Sequence, residues 1–439
     1  MRRFRYCSSS LCVVGLTFVL VFWSSLGFDS LLELPRSGTA KTRLRTKRVL
    51  SVRDFGAKGD GISNDTQALI NAWDTACSSP ERTAVVVPAD SSCLVHPIYL
   101  GGPCRSKVTL LIAGTIVAPT DPEAWYGLNT RKWLYIHNVN HLTIEGGGTI
   151  DGKGQKWWAR SCKVNPANPC RHAPRALTFH KCNSLRVKDL TVVNSQQMHM
   201  AFTNCIRVSV SNIKLLAPSS SPNTDAIHIS SSRGVQVTDS TFMTGDDCIS
   251  LVGNSSEISI RNIVCGPGHG ISIGSLGKGS SWSQVSDVTV DGASLSNTKN
   301  GVRIKTWQGG AGFVSRVTFQ NMTMKNVNNP IIIDQYYCDS RRPCLNQTSA
   351  VKVENVSFID IRGTSAKEEA IKFACSNSMP CEGLYLKDIR LLSSKGKRTR
   401  SFCWEAYGSI SGVVYPPVII FPRDGFIKKP GLSESYSLR

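Results

Sequence analysis

One pattern recurs along most of this sequence and limits the folds that the chain can adopt. Each copy alternates apolar and polar residues, bends at a Gly, Asn or Asp, and then resumes the alternation. The copies, 23 to 43 residues apart, begin at Lys107, His141, Ser184, Arg207, Gly234, Glu257, Asp287, Arg316, Ala350 and Gly383. Short strands at this period predict stacked coils, a β-helix. A multi-sheet β-sandwich is the alternative, but it does not explain why successive stretches resemble each other.

The composition agrees with stacked coils around one large core. Hydrophobic residues make up 41% of the 439 residues and aromatic residues only 8%, as expected when Val and Ile stack in ladders about 4.8 Å apart. After a Gly-rich turn, an amphipathic helix is predicted to begin near Asn64 or Asp65, either of which is a favourable N-cap. We expect this helix to cap the open N-terminal end of the stack, where free strand edges invite aggregation.

The N-terminal region has the features of a secretory signal. Residues 1–28 contain three arginines, an apolar run from Leu11 to Trp23, and then small residues. The run is shorter than the ~20 residues of a membrane span, although an uncleaved anchor is the alternative. We therefore expect a signal peptide over 1–28, a basic flexible lead over 29–49, one β-helix domain over 50–425 and a C-terminal tail over 426–439.

The cysteines fit the same export route. Two of the sixteen precede residue 29, and the other fourteen form an even set, as in disulfide-bonded secreted proteins. Three pairs close in sequence predict local disulfides: Cys162 with Cys170, Cys338 with Cys344, and Cys375 with Cys381. Zinc binding is less consistent because no CxxC spacing occurs. Five N-x-S/T sequons also fit a glycoprotein, at Asn64, Asn254, Asn321, Asn346 and Asn355.

The excess of basic residues narrows the class of partner. The net charge is +20, and residues 1–48 hold nine basic and two acidic residues, which leaves +13 for the remainder. Such a surface attracts polyanions, although the charge could serve solubility alone. No aromatic-basic interleaving or recognition-helix pattern indicates nucleic acid. We expect an acidic polysaccharide as partner, no membrane association after signal removal, and a monomer.

Four residues with catalytic side chains recur at the spacing of the coils. Asp225 and Asp246 are 21 residues apart, and Asp247 and His269 are 22 residues apart. Residues one coil apart in a solenoid lie above one another, so we expect these side chains to form one cluster. Adjacent acids repel each other and are costly to bury without charge partners, which argues against a purely structural role for all four.

The next coil adds two cations. In "NGVRIKTW" the alternation directs Arg303 and Lys305 to one side and Ile304 inward. Carboxylates with different pKa values can cleave a glycosidic bond, one protonating the leaving oxygen while another activates water or attacks the sugar. The cations would bind an anionic sugar. Each residue alone could be a turn-former or a solvated charge, and a metal site formed by the three aspartates is the competing chemistry.

Four segments identify a family that this chain resembles. "NTD", "GDDC", "GHGISIGSLG" and "RIKTW" resemble, in order and spacing, the signature segments of the polygalacturonases, glycoside hydrolase family 28, and the surrounding sequence resembles plant members from about Ser51 to beyond Cys403. The resemblance implies a right-handed parallel β-helix, no metal or organic cofactor, and inverting hydrolysis of α-1,4 bonds in homogalacturonan of the cell wall. An exo-acting or rhamnogalacturonan-directed hydrolase and a catalytically silent pectin-binding wall protein are the alternatives. A pectate lyase would need calcium and an Arg base.

The resemblance also implies catalytic roles. It implies that Asp246 is the general acid and that Asp225 and Asp247 hold and activate the water. His269 would support the protonation of the acid and the hydrogen bonding of the site.

Substrate-binding roles follow from the same resemblance. Arg303 and Lys305 would bind galacturonate carboxylates, and Asn223 would orient its neighbours. The binding tyrosine matches Tyr337, although Tyr336 beside it leaves the assignment one residue uncertain.

The sequence departs from the family pattern at one position and raises one geometric question. Ala226 stands where the family usually has Gly, which matters only if that residue needs a positive φ. Strict alternation would put Asp225 on the same face as Ile227, so we expect Asp225 at a strand end or bulge. Coils about 4.8 Å apart suggest close carboxylates, which the separation rule associates with retention; we follow the family and expect inversion.

Overall fold

The computed structural model describes residues 48–340 and 342–420. The expected signal peptide, most of the basic lead and the C-terminal tail lie outside these residues. Arg48 and Val49, the last two residues of the expected lead, already belong to the first strand. Among the described residues, no helix combines the length and apolarity needed to cross a bilayer.

The described residues form 29 strands, two α-helices and three short 3-10 helices. The helices are α1 (Thr66–Ser78) and α2 (Gln155–Ala159), with 3-10 turns at Val52–Phe55, Pro122–Trp125 and Lys278–Ser280. The strands are β1 (Arg48–Ser51), β2 (Asp60–Asn64), β3 (Thr83–Val87), β4 (Ser92–Leu94), β5 (Ile98–Gly101), β6 (Val108–Ile112), β7 (Thr115–Val117), β8 (Lys132–His137), β9 (Thr143–Glu145), β10 (Thr149–Asp151), β11 (Arg175–His180), β12 (Asn183–Val193), β13 (Met200–Thr203), β14 (Ile206–Leu216), β15 (Ile227–Ser230), β16 (Arg233–Met243), β17 (Ile249–Leu251), β18 (Ser255–Cys265), β19 (Ile271–Leu276), β20 (Trp282–Asp291), β21 (Ser294–Ser296), β22 (Asn300–Thr306), β23 (Ala311–Val327), β24 (Asn329–Asp334), β25 (Lys352–Ser365), β26 (Glu369–Ala374), β27 (Cys381–Ser393), β28 (Arg400–Trp404) and β29 (Ala406–Tyr415).

Two parallel sheets wind together along the chain, which confirms the predicted parallel β-helix. The smaller sheet has eleven strands in the order β5, β8, β11, β13, β15, β17, β19, β22, β24, β26 and β28. The larger sheet has eighteen strands, including the long series from β12 through β14, β16 and β18 to β20. Each coil thus contributes to both sheets, and each strand pairs with the strands of the adjacent coils.

The long strands of the larger sheet bend at left-handed residues. Asp189, Asn212, Asp239 and Asn262 have φ values of 53°, 50°, 50° and 51°, a region that Asn and Asp tolerate better than most residues. Side-chain hydrogen bonds link two pairs of them: Asn212 Nδ2 donates to Asp189 and Asn262 Nδ2 donates to Asp239. The Asn or Asp in these four copies is therefore a corner of the coil.

Aliphatic ladders fill the interior of the coils. Val187, Val210, Val237, Ile260 and Val290 lie opposite one another in successive strands of the larger sheet. All five side chains are buried. Stacking of equivalent β-branched side chains explains the low aromatic content, as the composition predicted.

Helix α1 packs against the first coils through contacts with β1, β3 and β5. Trp73 is fully buried there, and its indole Nε1 donates to the carbonyl of Gly101 at 3.0 Å. Asp65 precedes the helix as expected but does not cap it with its side chain. Its carboxylate instead accepts hydrogen bonds from the backbone of Lys58 and Gly59, so it stabilises the Gly-rich turn.

The disulfides partly follow the predicted pairing. The three predicted local bridges, 162–170, 338–344 and 375–381, are present, together with Cys77–Cys104 and Cys248–Cys265. Four described cysteines are unpaired: Cys93, Cys182, Cys205 and Cys403. Three of these four are buried within the coils and behave as small apolar residues, so the even count does not mean that every thiol is paired.

Candidate active site

The strands of the smaller sheet bring the predicted cluster together. Ile227, Ile249 and Ile271 lie opposite one another in β15, β17 and β19. Asp225, Asp247 and His269 each precede one of these isoleucines by two residues, so they occupy the same position on three successive coils. The register therefore aligns Asp225 with Asp247, and Asp246 lies one residue before this position. Asp225 precedes its strand, as expected.

Asp246 has three hydrogen-bond donors around its carboxylate. His269 Nδ1 lies 2.8 Å from Oδ1, and the backbone N–H of Asp247 donates to the same oxygen at 2.9 Å. Asn223 Nδ2 donates to Oδ2 at 3.2 Å. His269 and Asn223, both predicted site residues, thus contact the proposed acid directly.

Asp247 contacts two basic side chains. Its side chain is almost fully buried, at 2% exposure. Arg303 Nη2 lies 3.0 Å from Oδ1, and Lys305 Nζ lies 2.9 Å from Oδ2. Ser272 also donates to Oδ1 at 2.9 Å. In the apo protein the two predicted substrate-binding cations therefore neutralise Asp247.

Asp225 lacks a cation at hydrogen-bond distance among the described residues. Ser250 donates to its Oδ2 at 2.8 Å, and His228 Nδ1 lies 4.0 Å from the same oxygen. Asp225 is only 7% exposed, so its ionised form loses hydration without gaining a direct ion pair.

These surroundings separate the pKa values of two aspartates. Burial raises the pKa of Asp225 well above its usual range, and the negative charges of Asp246 and Asp247 add to the effect. Burial also acts to raise the pKa of Asp246, but the hydrogen bond and charge of His269, with the charge of Lys305, outweigh it and lower that pKa. In the apo protein, Asp225 therefore retains a proton more readily than Asp246.

Backbone packing explains the glycines beside the acidic pair and the histidine. A Cβ at Gly245, directly before Asp246, would lie 1.9 Å from the carbonyl oxygen of Ser221. Gly270, directly after His269, has a φ of 87° and would place a Cβ 2.1 Å from the carbonyl oxygen of Asn300. Gly245 of "GDD" and Gly270 of "GHG" are thus required by the close approach of neighbouring coils. Ala226, in contrast, has no positive φ, and its methyl group is buried.

The two adjacent tyrosines have different surroundings. Tyr337 lines the cavity of the acidic cluster, packs edge-on against Trp307 at 5.6 Å between ring centroids, and has Lys305 Nζ 5.5 Å from its ring centroid. Burial raises the pKa of Tyr337 to about 12. Tyr336 instead lines a separate cavity and hydrogen-bonds Asn377. This geometry favours Tyr337 over Tyr336 as the binding tyrosine.

The cluster lies in an open groove with a cavity of about 660 Å³. The loops closed by the 162–170 and 338–344 disulfides meet at its wall, where Lys163 Nζ lies 2.8 Å from Asp339 Oδ1. A second cavity of about 640 Å³ shares Pro222 and Asn223 with the first. Its lining includes Gln196, a buried residue whose side-chain nitrogen and oxygen both lack a hydrogen-bond partner in the structure.

The contacts around the cluster do not favour a metal ion. Asp246, Asp247 and His269 have potential ligand atoms within 4.8 Å of one another. However, Asp247 already contacts Arg303 and Lys305, so an added cation would meet two fixed positive charges. His269 Nδ1 is engaged by Asp246. The metal site considered from the sequence also included Asp225, which is not part of this group.

Sequence reasoning missed three polar residues of the site. His228, Ser250 and Ser272 lie opposite one another in β15, β17 and β19. Ser250 and Ser272 each donate to one aspartate, and His228 Nδ1 lies 2.8 Å from the Ser250 hydroxyl. The sequence signal was the polar residue between two aliphatic residues in "IHI", "ISL" and "ISI".

Comparisons with known sequences agree with this geometry. The family model described as glycosyl hydrolases family 28 matches residues 77–407. The chain is 57% identical over 435 residues to a probable polygalacturonase of Arabidopsis thaliana, covering 97% of this chain and 98% of that protein. It is 47% identical to polygalacturonase-2 of Solanum lycopersicum, covering 81% of this chain and 78% of that protein.

Solved structures show a similar fold at lower sequence identity. An endo-xylogalacturonan hydrolase from Aspergillus tubingensis superposes with a TM-score of 0.71 at 23% identity, covering 83% of this chain and 99% of that chain. A polygalacturonase from Erwinia carotovora gives a TM-score of 0.66 at 24% identity, covering 82% and 99%. The parallel β-helix of this chain is right-handed, as expected.

Proposed function

Because the chain belongs to family 28 of the glycosyl hydrolases, we propose that it is a secreted polygalacturonase that hydrolyses α-1,4-galacturonosyl bonds of homogalacturonan with inversion, without a metal or organic cofactor. The observation that carries this proposal is the contact of Asp247 with both Arg303 and Lys305 beside Asp246. Carboxylates and fixed cations in one groove suit the acid-base cleavage of an anionic sugar chain. The described disulfides agree with an oxidising, extracellular location.

The proposed reaction divides the work among the aspartates. Asp246 donates a proton to the leaving oxygen, while Asp225 and Asp247 hold and activate the attacking water. Asp247 is neutralised by cations and suits positioning of the water. Asp225 has the higher pKa and is the stronger proton acceptor once ionised. His269 and Asn223 orient the carboxyl of Asp246.

The apo pKa order is opposite to the order that this chemistry needs. Catalysis requires Asp246 protonated and Asp225 ionised, whereas the apo surroundings favour the reverse. A galacturonate carboxylate that binds Lys305 and Arg303 would offset their positive charge and add negative charge near Asp246. Substrate binding would therefore raise the pKa of Asp246, so that protonation of the acid is coupled to occupancy of the groove.

The test is the release of reducing ends from de-esterified homogalacturonan in excess chelator. The Asp246→Asn variant should bind the polymer like the parent and lose about 10²- to 10⁴-fold in turnover. Activity that disappears with chelator would overturn the metal-free mechanism. Absence of activity in the parent, with polymer binding retained, would instead indicate a silent pectin-binding protein.

A further inference from the structure

A second basic surface lies on the larger sheet, away from the groove of the smaller sheet. Extension of the strand register places Arg82, Lys107, His141, Ser184 and Arg207 at one position on five successive coils. We call Arg82, Lys107, His141 and Arg207, with the neighbouring Arg186, the basic column. A parallel ladder spaces such positions about 4.8 Å apart.

The side chains of the basic column have no acidic partners among residues 48–340 and 342–420. All five side chains are exposed, and they line a groove of about 480 Å³ together with Thr109, Thr143 and Ser209. None of the described residues that line this groove is acidic. Arg207 donates hydrogen bonds to the neutral side chains of Ser184 and Asn183.

The same sheet position is charge-balanced farther along the chain. Beyond Arg207 the register continues through Gly234 to Glu257, Asp287 and Arg316. There Arg316 pairs with Asp287, and Glu257 pairs with Arg233 of the preceding coil. Like charges on neighbouring strands are destabilising, so the uncompensated stack on the N-terminal coils favours an external anion.

The backbone at this position is left-handed in the charge-balanced coils, where Glu257, Asp287 and Arg316 have φ values of 57°, 59° and 55°, and also in the N-terminal coils. His141, Ser184 and Arg207 have φ values of 57°, 57° and 56°, where Gly or Asn is the less strained choice. Gly indeed occupies the same position at Gly234. Arg207 thus places a guanidinium over the groove at a corner where its backbone is disfavoured.

We propose that the basic column is a second binding site for polyuronate, separate from the catalytic groove. Arg82, Lys107, His141 and Arg207 recur at the coil spacing, and each can meet a carboxylate of a polymer that carries one per sugar unit, while the Thr and Ser hydroxyls face the sugar. The choice of a polyuronate as ligand rests on the proposed function. Binding at two places on one polymer would raise the effective concentration of substrate at the groove.

The experiment measures binding separately from cleavage. In an Asp246→Asn background, Lys107→Gln/Arg186→Gln is compared with Lys387→Gln/Arg390→Gln. The control pair removes two exposed cations from β27 of the same sheet, so both variants lose the same charge. Affinity for immobilised de-esterified homogalacturonan is measured from low to high salt. We expect the column variant to bind about tenfold more weakly at low salt, with the difference shrinking as salt rises, and the control to change less than about twofold.

A second variant and a second substrate complete the test. Arg207→Asn suits the left-handed backbone and should also weaken polymer binding without lowering the melting temperature. With Asp246 intact, the column variants should cleave short galacturonate oligomers at the parent rate. Equal affinities of the column and control variants would overturn the proposal, as would an equal loss of affinity for fully methyl-esterified pectin. Failure of the proposed function would appear differently, as a parent chain that cleaves neither polymer nor oligomers.

Discussion

Lys305→Met removes the hydrogen-bond partner of Asp247 Oδ2 and leaves a buried carboxylate half-compensated. At the observed N–O distance of 2.9 Å, the Coulomb attraction at an effective dielectric constant of about 20 is about 6 kcal/mol. Arg303 and Ser272 still contact the other oxygen. We therefore expect a net loss of about 3 kcal/mol in the free energy of unfolding, the lower end for a broken buried pair, and a melting temperature about 4 °C lower.

A double-mutant cycle with Asp247→Asn separates the ion pair from packing effects. The double variant removes both charges and should recover about 2 kcal/mol relative to the sum of the single variants. Lys372→Met, two strands farther along the same face of the smaller sheet, is the matched control and should change stability by less than about 0.5 kcal/mol. Additive single effects, or a Lys305→Met variant as stable as the control, would refute the inference that Lys305 compensates the buried charge of Asp247.

Three further outcomes follow from the site. Asp225→Asn should stabilise the fold increasingly as pH rises above about 4. The raised pKa of Asp225 lets the folded parent hold a proton that the unfolded chain has lost, so the parent becomes less stable as pH rises and the variant does not. Melting curves showing a pH-independent gain would contradict this. Tyr337→Ala should raise KM for polygalacturonate about tenfold while Tyr336→Ala leaves it near the parent value; equal effects in steady-state kinetics would reject the assignment. Because Gln196 lines the cavity beside the groove, Gln196→Met should lower kcat/KM about tenfold for long oligomers and leave that of the shortest cleaved oligomer unchanged. Exposed Gln236→Met is the control, and a uniform loss over all lengths would mark Gln196 as structural.

The repeat in the sequence was sufficient to predict the fold because each coil packs mainly on its neighbours in the chain. The local pattern therefore also determines the overall architecture. Alternation determines which residues face inward, and the corners recur at Asn and Asp, so the predicted ladder of Val and Ile follows directly. Side chains such as Arg303 and Lys305 sit on regular strand positions, and their direction could be read from alternation with Ile304.

What the sequence could not provide depends on register and burial. Spacing alone suggested that Asp225 lies over Asp246, whereas the strand pairing aligns it with Asp247. The pKa order of the aspartates depends on which carboxylate Arg303 and Lys305 contact. That contact is determined by side-chain positions, which the sequence does not give. The four unpaired cysteines could not be identified for a similar reason: an even count carries no information about which thiols meet across coils.

The central position of the cluster along the stack bears on how the protein loses activity with heat. The cluster is carried by β15, β17, β19 and β22, with β5, β8, β11 and β13 on one side and β24, β26 and β28 on the other. Since each coil is stabilised mainly by its neighbours, local unfolding starts at the ends and must spread through several coils before it reaches the groove. The lifetime of activity is therefore governed by the innermost coils, and enzyme molecules with melted ends remain competent.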